Sequence, residues 1–364
     1  MTDENYMQLA IQLAFNTIGQ TSPNPVVGAV VVKDNQIVGL GTHLRAGEAH
    51  AEVHAINMAG EKAKNSCIYV TLEPCSHFGR TPPCADLLIK SGVKRVVIAS
   101  TDPNPQVAGK GIERLKKAGI EVDVGVLKEE ADKLNEVFFH YISTGFPYVT
   151  LKSATSLDGK IATVTGESKW ITGESARLDV HKYRHQHDAI LVGVNTVLKD
   201  DPELTTRLPL GGKNPIRIIL DTNLRIPPSA KVIMDQCTHT WVVVGQNVPN
   251  DKVEMLKARN IDIIKAPTNN IEIPYILKML AERGITSLFV EGGSKINWSF
   301  IKAGAVNQMI TYIAPKIIGG TTAPTAIGGS GFEKMNEVLQ FKIQSISQIG
   351  EDIKIVSIPY TKDG

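Results

Sequence analysis

Cysteine is scarce: Cys67, Cys75, Cys84 and Cys237 are the only four in 364 residues. A disulfide scaffold is short and far denser in cysteine, so that class is excluded. Aromatic residues are only 5% of the chain, and the formal net charge is +2. A nucleic-acid binder usually shows a basic patch, and single-strand binders add stacking aromatics. No apolar run approaches the ~18 residues of a membrane span, and no basic, apolar leader opens the chain. The expectation is a cytoplasmic protein acting on small molecules. The length favours two domains.

What is present is alternation. A helical pattern over 3–18 is followed by TSPNP and by two apolar runs, VVGAVVV and QIVGLG, that read as a hairpin. Helices and strands then alternate: AEVHAINMAGEKA, SCIYVTL, ADLLIKSG, VKRVVIAS, GKGIERLKKAG, IEVDVG and KEEADKLNEVFFHYI. Gly92 stands where a helix would stop. STGFPY at 143–148 has turn chemistry, and a second alternating series starts after it. Its last strand is expected at 351–359. The boundary is set at 145/146, giving domains 1–145 and 146–364. Each is expected to be α/β, with a parallel or mixed sheet and helices on its faces.

The stretch TLEPCSHFGRTPPC places Cys75 after a strand and Cys84 at a helix start. A disulfide, a metal site or two buried thiols would each fit that pair alone. Upstream, GEAHAEVHAI puts His50 and Glu52 at another helix start. Residues i and i+2 do not share a helix face, but both can lean over one cavity from an open first turn. His50, Cys75 and Cys84 make a three-ligand zinc set that leaves a fourth position for water. Zinc would bring that water's pKa toward ~7, and Glu52 would carry its proton to the leaving amine. His54 is one turn beyond His50 and is read as a helix residue packed nearby rather than a fourth ligand. Zinc nucleobase deaminases carry His-x-Glu followed by Pro-Cys-x-x-Cys. Here eight residues separate the cysteines.

With that longer loop, TSPNPVVGAVVV, GTHLRAGEAHAEVHA, VTLEPCSHFGRTPPC and STDPNPQVAGKG resemble the deaminase half of the bifunctional riboflavin biosynthesis family. The resemblance implies a cytidine-deaminase-like α/β/α sandwich. It implies zinc on His50, Cys75 and Cys84, and Glu52 as the catalytic acid and base. It also implies that Asn24 and His43 contact the pyrimidine, and that His77 and Arg80 hold substrate and phosphate.

No G-x-G-x-x-G follows a strand in the second half, so a Rossmann site is not supported. LFVEGGSKINWSF instead offers a strand, a glycine turn and a helix start where a pyrophosphate can sit. Together with KSATSLDGKIA, SKWITG and RHQHDAILVGVNTVLKDDPELTTR it resembles the reductase half of the same family. That half has a dihydrofolate-reductase-like fold and uses NADPH. The resemblance puts Ala154, Trp170, Thr196, Asp200 and Thr222 at the cofactor, with Gly293, Ser294, Lys295, Ile296, Asn297, Trp298 and Ser299 around its phosphates. It turns Ser168, Arg184, Leu204, Arg207 and Glu291 toward substrate. Arg184 and Arg207 are the kind of fork that binds a phosphate bidentately. Lys152 and Asp158 flank the strand mouth and are further candidates for polarising or protonating the sugar.

The expected activity is therefore double. Zinc-hydroxide deamination of 2,5-diamino-6-(5-phosphoribosylamino)pyrimidin-4-one would precede NADPH reduction of the ribosyl group to a ribityl chain. Self-association through the second domain is expected as well. Two alternatives remain: a zinc nucleobase or tRNA deaminase with an unrelated second domain, and a structural-zinc scaffold with a ligand-sensing domain.

Overall fold

The structure, a computed structural model, describes residues 1–77, 82–104 and 108–360. The chain divides into two compact units, Met1–Gly145 and Phe146–Gly364.

The first unit begins with α1 (Asp3–Phe15), β1 (Gly28–Lys33), β2 (Gln36–Thr42), α2 (Ala51–Ala59), β3 (Cys67–Leu72) and α3 (Cys84–Lys90). It continues with β4 (Arg95–Ser100), α4 (Lys110–Lys117), β5 (Glu121–Val124), α5 (Lys128–Leu134) and α6 (Glu136–Thr144). The strands lie in the order β2-β1-β3-β4-β5. β3, β4 and β5 are parallel, and β1 is antiparallel to both neighbours. β1, β3 and β4 are apolar on both faces because helices cover both. Ala29, Val31, Ile68 and Val96 pack with Ala51, Ala55, Leu88 and Leu115 of α2, α3 and α4. Val30, Val32 and Val97 pack the other way, against Met7 and Ala10 of α1 and Ala131 of α5. Each such buried aliphatic chain contributes about 1.5–3 kcal/mol.

Two local features set the first site. A Cβ at Gly41 would lie 2.0 Å from the Ala51 carbonyl oxygen, so only glycine lets the start of α2 sit on β2. The single helix read at KEEADKLNEVFFHYI is broken into α5 and α6. The break is Asn135, which is buried. Its Oδ1 accepts from the Val26 N–H and its Nδ2 donates to the Val26 carbonyl, both at 2.9 Å. A long-range clasp here outweighs local helix propensity.

The second unit opens with β6 (Tyr148–Ser156), α7 (Glu174–Gln186), β7 (Ala189–Gly193), α8 (Val194–Asp200), β8 (Ile216–Leu220) and α9 (Lys231–Met234). Then come β9 (Thr240–Val244), α10 (Asn250–Lys257), β10 (Asp262–Lys265), α11 (Ile273–Glu282), β11 (Ser287–Gly292) and α12 (Ser294–Lys302). β12 (Gln308–Ala314), β13 (Phe341–Ile349) and β14 (Asp352–Pro359) complete it. The sheet order is β10-β9-β8-β7-β11-β6-β12-β14-β13. All neighbours are parallel except β12/β14 and β14/β13. One face packs Ile190, Val192 and Phe289 with α7 and α10; the other packs Leu191, Leu288 and Val290 with α11 and α12.

Sequence periodicity misses α8, α9 and β13. In β13 the pairing with β14 shifts between Ile343 and Ser345, which breaks the two-residue alternation. Among the described residues no helix is long and apolar enough to cross a membrane.

Candidate active sites

In the first unit, two helix starts and one strand end converge. His50 is the residue preceding α2, held extended at φ −74° and ψ 165°. Cys84 opens α3, and Cys75 follows β3. His50 Nδ1 lies 3.2 Å from Cys84 Sγ and 3.7 Å from Cys75 Sγ. The Cys84 N–H donates to Cys75 Sγ at 3.3 Å. All three ligand atoms fall within 4.8 Å of one another. Donors ~2.0–2.3 Å from one tetrahedral ion stand roughly 3.5 Å apart, so the set fits zinc. Both cysteines are free thiols. His54 is not part of the group; its Nε2 is buried without a partner among the described residues.

The electrostatics suit a cation. Hydrogen bonds from the Cys84 thiol, and after it from His50, lower the Cys75 pKa and favour its thiolate. Contact with Cys75 raises His50. Glu52, in the first turn of α2, is 3% exposed. Burial pushes its carboxyl up to about 7, with Cys75 adding to the rise and His50 opposing it. A cation between the ligands would oppose that rise too. A carboxyl tuned toward neutrality is what a proton shuttle requires.

Asn24 and His43 stand beside the ligands. His43 is buried, and its ring meets that of His50 edge-on at 5.3 Å between centroids. With Nδ1–H donating to the Ala49 carbonyl at 3.1 Å, His43 Nε2 accepts from the Asn24 amide at 3.1 Å. Burial lowers its pKa, so this tautomer is neutral. His77 is exposed, and Arg80 lies outside the described residues. Sequence reasoning missed Asp102. This acid follows β4, accepts from the Asn104 N–H at 2.8 Å and feels the charges of Glu73, His77 and Cys75. Burial raises its pKa. Its position past the carboxyl end of a parallel strand was the available signal.

The second unit builds its site from charge. Arg184 on α7 grips Glu291 at the end of β11 through Nε at 2.6 Å and Nη2 at 3.1 Å. Its Nη1 donates to the Thr205 carbonyl at 2.9 Å. Lys152 on β6 approaches Glu291 to 3.9 Å. Burial alone would raise Glu291, but Arg184 and Lys152 prevail and hold it down to about 2. Burial lowers Lys152, against Glu291. His181 faces the same group and falls to about 4, from burial and then from Arg184 and Arg207. Nothing local in the sequence around HKYRHQH marks it as part of a site.

Several assignments change in detail. Arg184 spends its fork on Glu291, whereas the sequence pattern alone reads it as free for a phosphate. Arg207 is exposed and pairs with Glu203 at 2.6 Å. The Leu204 side chain is buried in the core at φ +54°, so only its backbone faces outward chemistry. Asp158 does not reach for a proton. Ser156 Oγ and the Ile318 N–H donate to its Oδ1, and the Gly319 N–H donates to Oδ2. These bonds hold it down to about 2, so it stays ionised as a loop anchor.

The cofactor candidates lie along one edge of the sheet. Ala154, Thr196, Thr222 and Gly293 sit at or beyond the carboxyl ends of the parallel strands β6, β7, β8 and β11. That edge is where open α/β sheets bind ligands. Asp200 ends α8. Gly292 has φ +97°, and a Cβ at Gly293 would meet Thr196 Oγ1 at 3.7 Å. The side chains of Ile296, Asn297 and Trp298 are used in packing: Ile296 against Gly193, Asn297 donating to the Ala326 carbonyl, and Trp298 edge-on to Phe332. Ser299 Oγ donates to the Lys295 carbonyl. What this segment offers an anion is the bare first turn of α12, which fits a dinucleotide phosphate. Trp170 is 63% exposed, with the Arg177 guanidinium over its ring at 4.5 Å. Ser168 is half-buried two residues before it.

Two family models match: the cytidine and deoxycytidylate deaminase zinc-binding region over residues 1–100, and the RibD C-terminal domain over 147–355. The chain is 55% identical to the riboflavin biosynthesis protein RibD of Bacillus amyloliquefaciens, covering 100% of this chain and 97% of that protein. It is similar to the solved RibD of Acinetobacter baumannii, with TM-score 0.89, 40% identity and 99% of each chain covered. A Thermotoga maritima structure aligns at TM-score 0.88 and 37% identity, over 98% of this chain and 99% of that one. It is described as a diaminohydroxyphosphoribosylaminopyrimidine deaminase and 5-amino-6-(5-phosphoribosylamino)uracil reductase.

Proposed function

Because this chain belongs to the RibD family of bifunctional riboflavin biosynthesis deaminases and reductases, we propose that its two units act in turn on one phosphoribosyl pyrimidine. The first removes an amine from 2,5-diamino-6-(5-phosphoribosylamino)pyrimidin-4-one. The second reduces the ribosyl group of the product to a ribityl chain. The His50–Cys75–Cys84 group beside a buried Glu52 carries the first assignment.

His50, Cys75 and Cys84 would hold zinc, which would supply a water acidic enough to react near pH 7. Glu52, buried beside the ligands, would accept a proton from the attacking water and deliver one to the departing amine. Asn24 and His43, locked to each other, orient the pyrimidine edge. His77 and Arg80 reach its phosphate.

In the second unit, NADPH supplies the hydride. The first turn of α12, Thr196, Asp200, Thr222, Ala154 and Trp170 hold it. Ser168, Arg207 and the Leu204 backbone position the substrate. Glu291 fixes Arg184 and Lys152, and Lys152 would donate to the oxygen or nitrogen on the sugar carbon that is reduced.

A cytoplasmic setting keeps the ligand thiols reduced. Self-association uses β13, the edge of the large sheet, where Ile343 and Ile346 are exposed and a second copy can add its own strand. Sedimentation of the wild type and of Ile346→Lys tests this; a monomeric wild type refutes it.

The decisive assay follows both steps in one tube. Zinc-loaded chain given the diaminopyrimidine should release one ammonia per substrate, and only then consume NADPH. No ammonia from zinc-replete protein overturns the reading.

A further inference from the structure

Glu73 is used by no step above. It sits between β3 and the Pro74–Cys75 turn, and it is only 4% exposed. Its N–H donates to the Ser100 carbonyl at 2.9 Å, extending the β3/β4 pairing by one residue. Pro74 has no N–H to continue that ladder, so the chain leaves the sheet there. A buried carboxylate is costly unless its oxygens are bonded. Those of Glu73 are bonded, and all by backbone.

Oε1 accepts from the Gly111 N–H at 2.9 Å and the Ile112 N–H at 3.3 Å. Oε2 accepts from the Gly109 N–H at 2.9 Å and the Asp102 N–H at 3.4 Å. Gly109 precedes α4, and Gly111 and Ile112 lie in its first turn. The carboxylate therefore satisfies N–H groups that a helix start leaves unpaired, with its charge at the favourable end of the dipole. The fit is tight. A Cβ at Gly111 would lie 2.1 Å from the Pro74 carbonyl oxygen and 3.2 Å from Glu73 Oε1.

We infer that Glu73 is a positioning residue of the deaminase: it fastens the turn bearing Cys75 to the wall bearing Asp102 and Asn104. One side chain thus sets the register between a metal ligand and the rim facing it. The inference rests on the first unit being the deaminase. Misplacing reacting groups by about 1 Å costs on the order of 10²-fold, so the register is catalytically expensive to lose.

The test is Glu73→Gln in the full chain. The amide presents an NH₂ to backbone donors, so it keeps one accepting oxygen in place of two. Bound zinc should stay at the wild-type stoichiometry. Deamination kcat should fall about 30-fold or more, with KM changing less than about 5-fold. The visible absorption of the cobalt-substituted protein should shift, since Cys75 no longer holds its place. Glu73→Asp, which keeps the charge but is one methylene short, should fall between. NADPH consumption with deaminated substrate should match wild type, showing that the chain is folded. Wild-type deamination kinetics with an unchanged cobalt spectrum overturn the inference. Loss of zinc in both variants also overturns it, because the residue then serves metal retention or folding instead of register. If wild-type protein itself releases no ammonia, the deaminase reading has failed, a result separable from both.

Discussion

The two units solve opposite electrostatic problems. The first gathers soft ligands, two cysteine sulfurs and an imidazole, with His50 and Cys84 at the positive ends of α2 and α3 and Cys75 just past β3. It buries the Glu52 carboxyl with only the His50 imidazole to oppose the effect of burial, and that carboxyl rises. The second buries a carboxyl of the same kind, Glu291, between Arg184 and Lys152, and it falls. One glutamate is left able to exchange a proton, while the other is fixed as an anion. Environment, more than residue type, assigns acid–base chemistry to one and scaffolding to the other.

The sharpest way to break that contrast is to neutralise each glutamate in turn. Glu52→Gln should retain zinc and lose deamination by about 10³-fold or more, with reduction unchanged. Ammonia release and NADPH oxidation on separate substrates measure both; joint loss would show a fold defect. Glu291→Gln should do the reverse. It leaves Arg184 and Lys152 without their anion and should cut reduction by about 10²-fold, sparing deamination. Partial rescue by Glu291→Asp would separate lost charge from lost packing.

A pH experiment sharpens the comparison further. Glu291 is held down to about 2 from a model-peptide value of 4.5. Its contribution is fully present above pH 4.5, shrinks as pH falls from there toward 2, and is gone below it. At neutral pH it amounts to roughly 3 kcal/mol. Acid unfolding of the second unit should therefore steepen between about pH 4.5 and 2, and Glu291→Gln should flatten that segment. The smallest effect is expected at Asp158. Asp158→Asn keeps one accepting oxygen at the turn and should change reduction kcat by less than about threefold. A hundredfold loss would restore it as a proton donor.

How much of this could be read from residues alone depends on distance along the chain. His50, Glu52, Cys75 and Cys84 lie within one stretch, and their types and spacing declare a metal site. Both sheets were likewise legible, because apolar strands alternating with helices leave few architectures. Contacts between distant segments were not legible. Asp102 and His181 look ordinary beside their neighbours and become functional candidates only when β4 or α7 brings them round. Arg184 reads as a phosphate fork until Glu291, 107 positions away, occupies it. Leu204 and Asp158 show the converse: motif position suggests chemistry, and the fold adds a packing role for the Leu204 side chain and a loop-anchoring role for Asp158. Asn135 and the shifted register of β13 defeated periodicity for a physical reason. In each, a tertiary bond or an extra residue outweighed the local repeat.

The Asn135 clasp also has a meaning in time. It joins positions 109 apart, and it holds Val26, two residues beyond Asn24. The zinc ligands need only the chain up to residue 84. The segment bearing Asn24 is not secured until residue 135 has been made and folded back. On a ribosome, the segment carrying the candidate ligands emerges before the clasp that secures the Asn24 segment, and contacts of such long sequence separation are the slow ones to form.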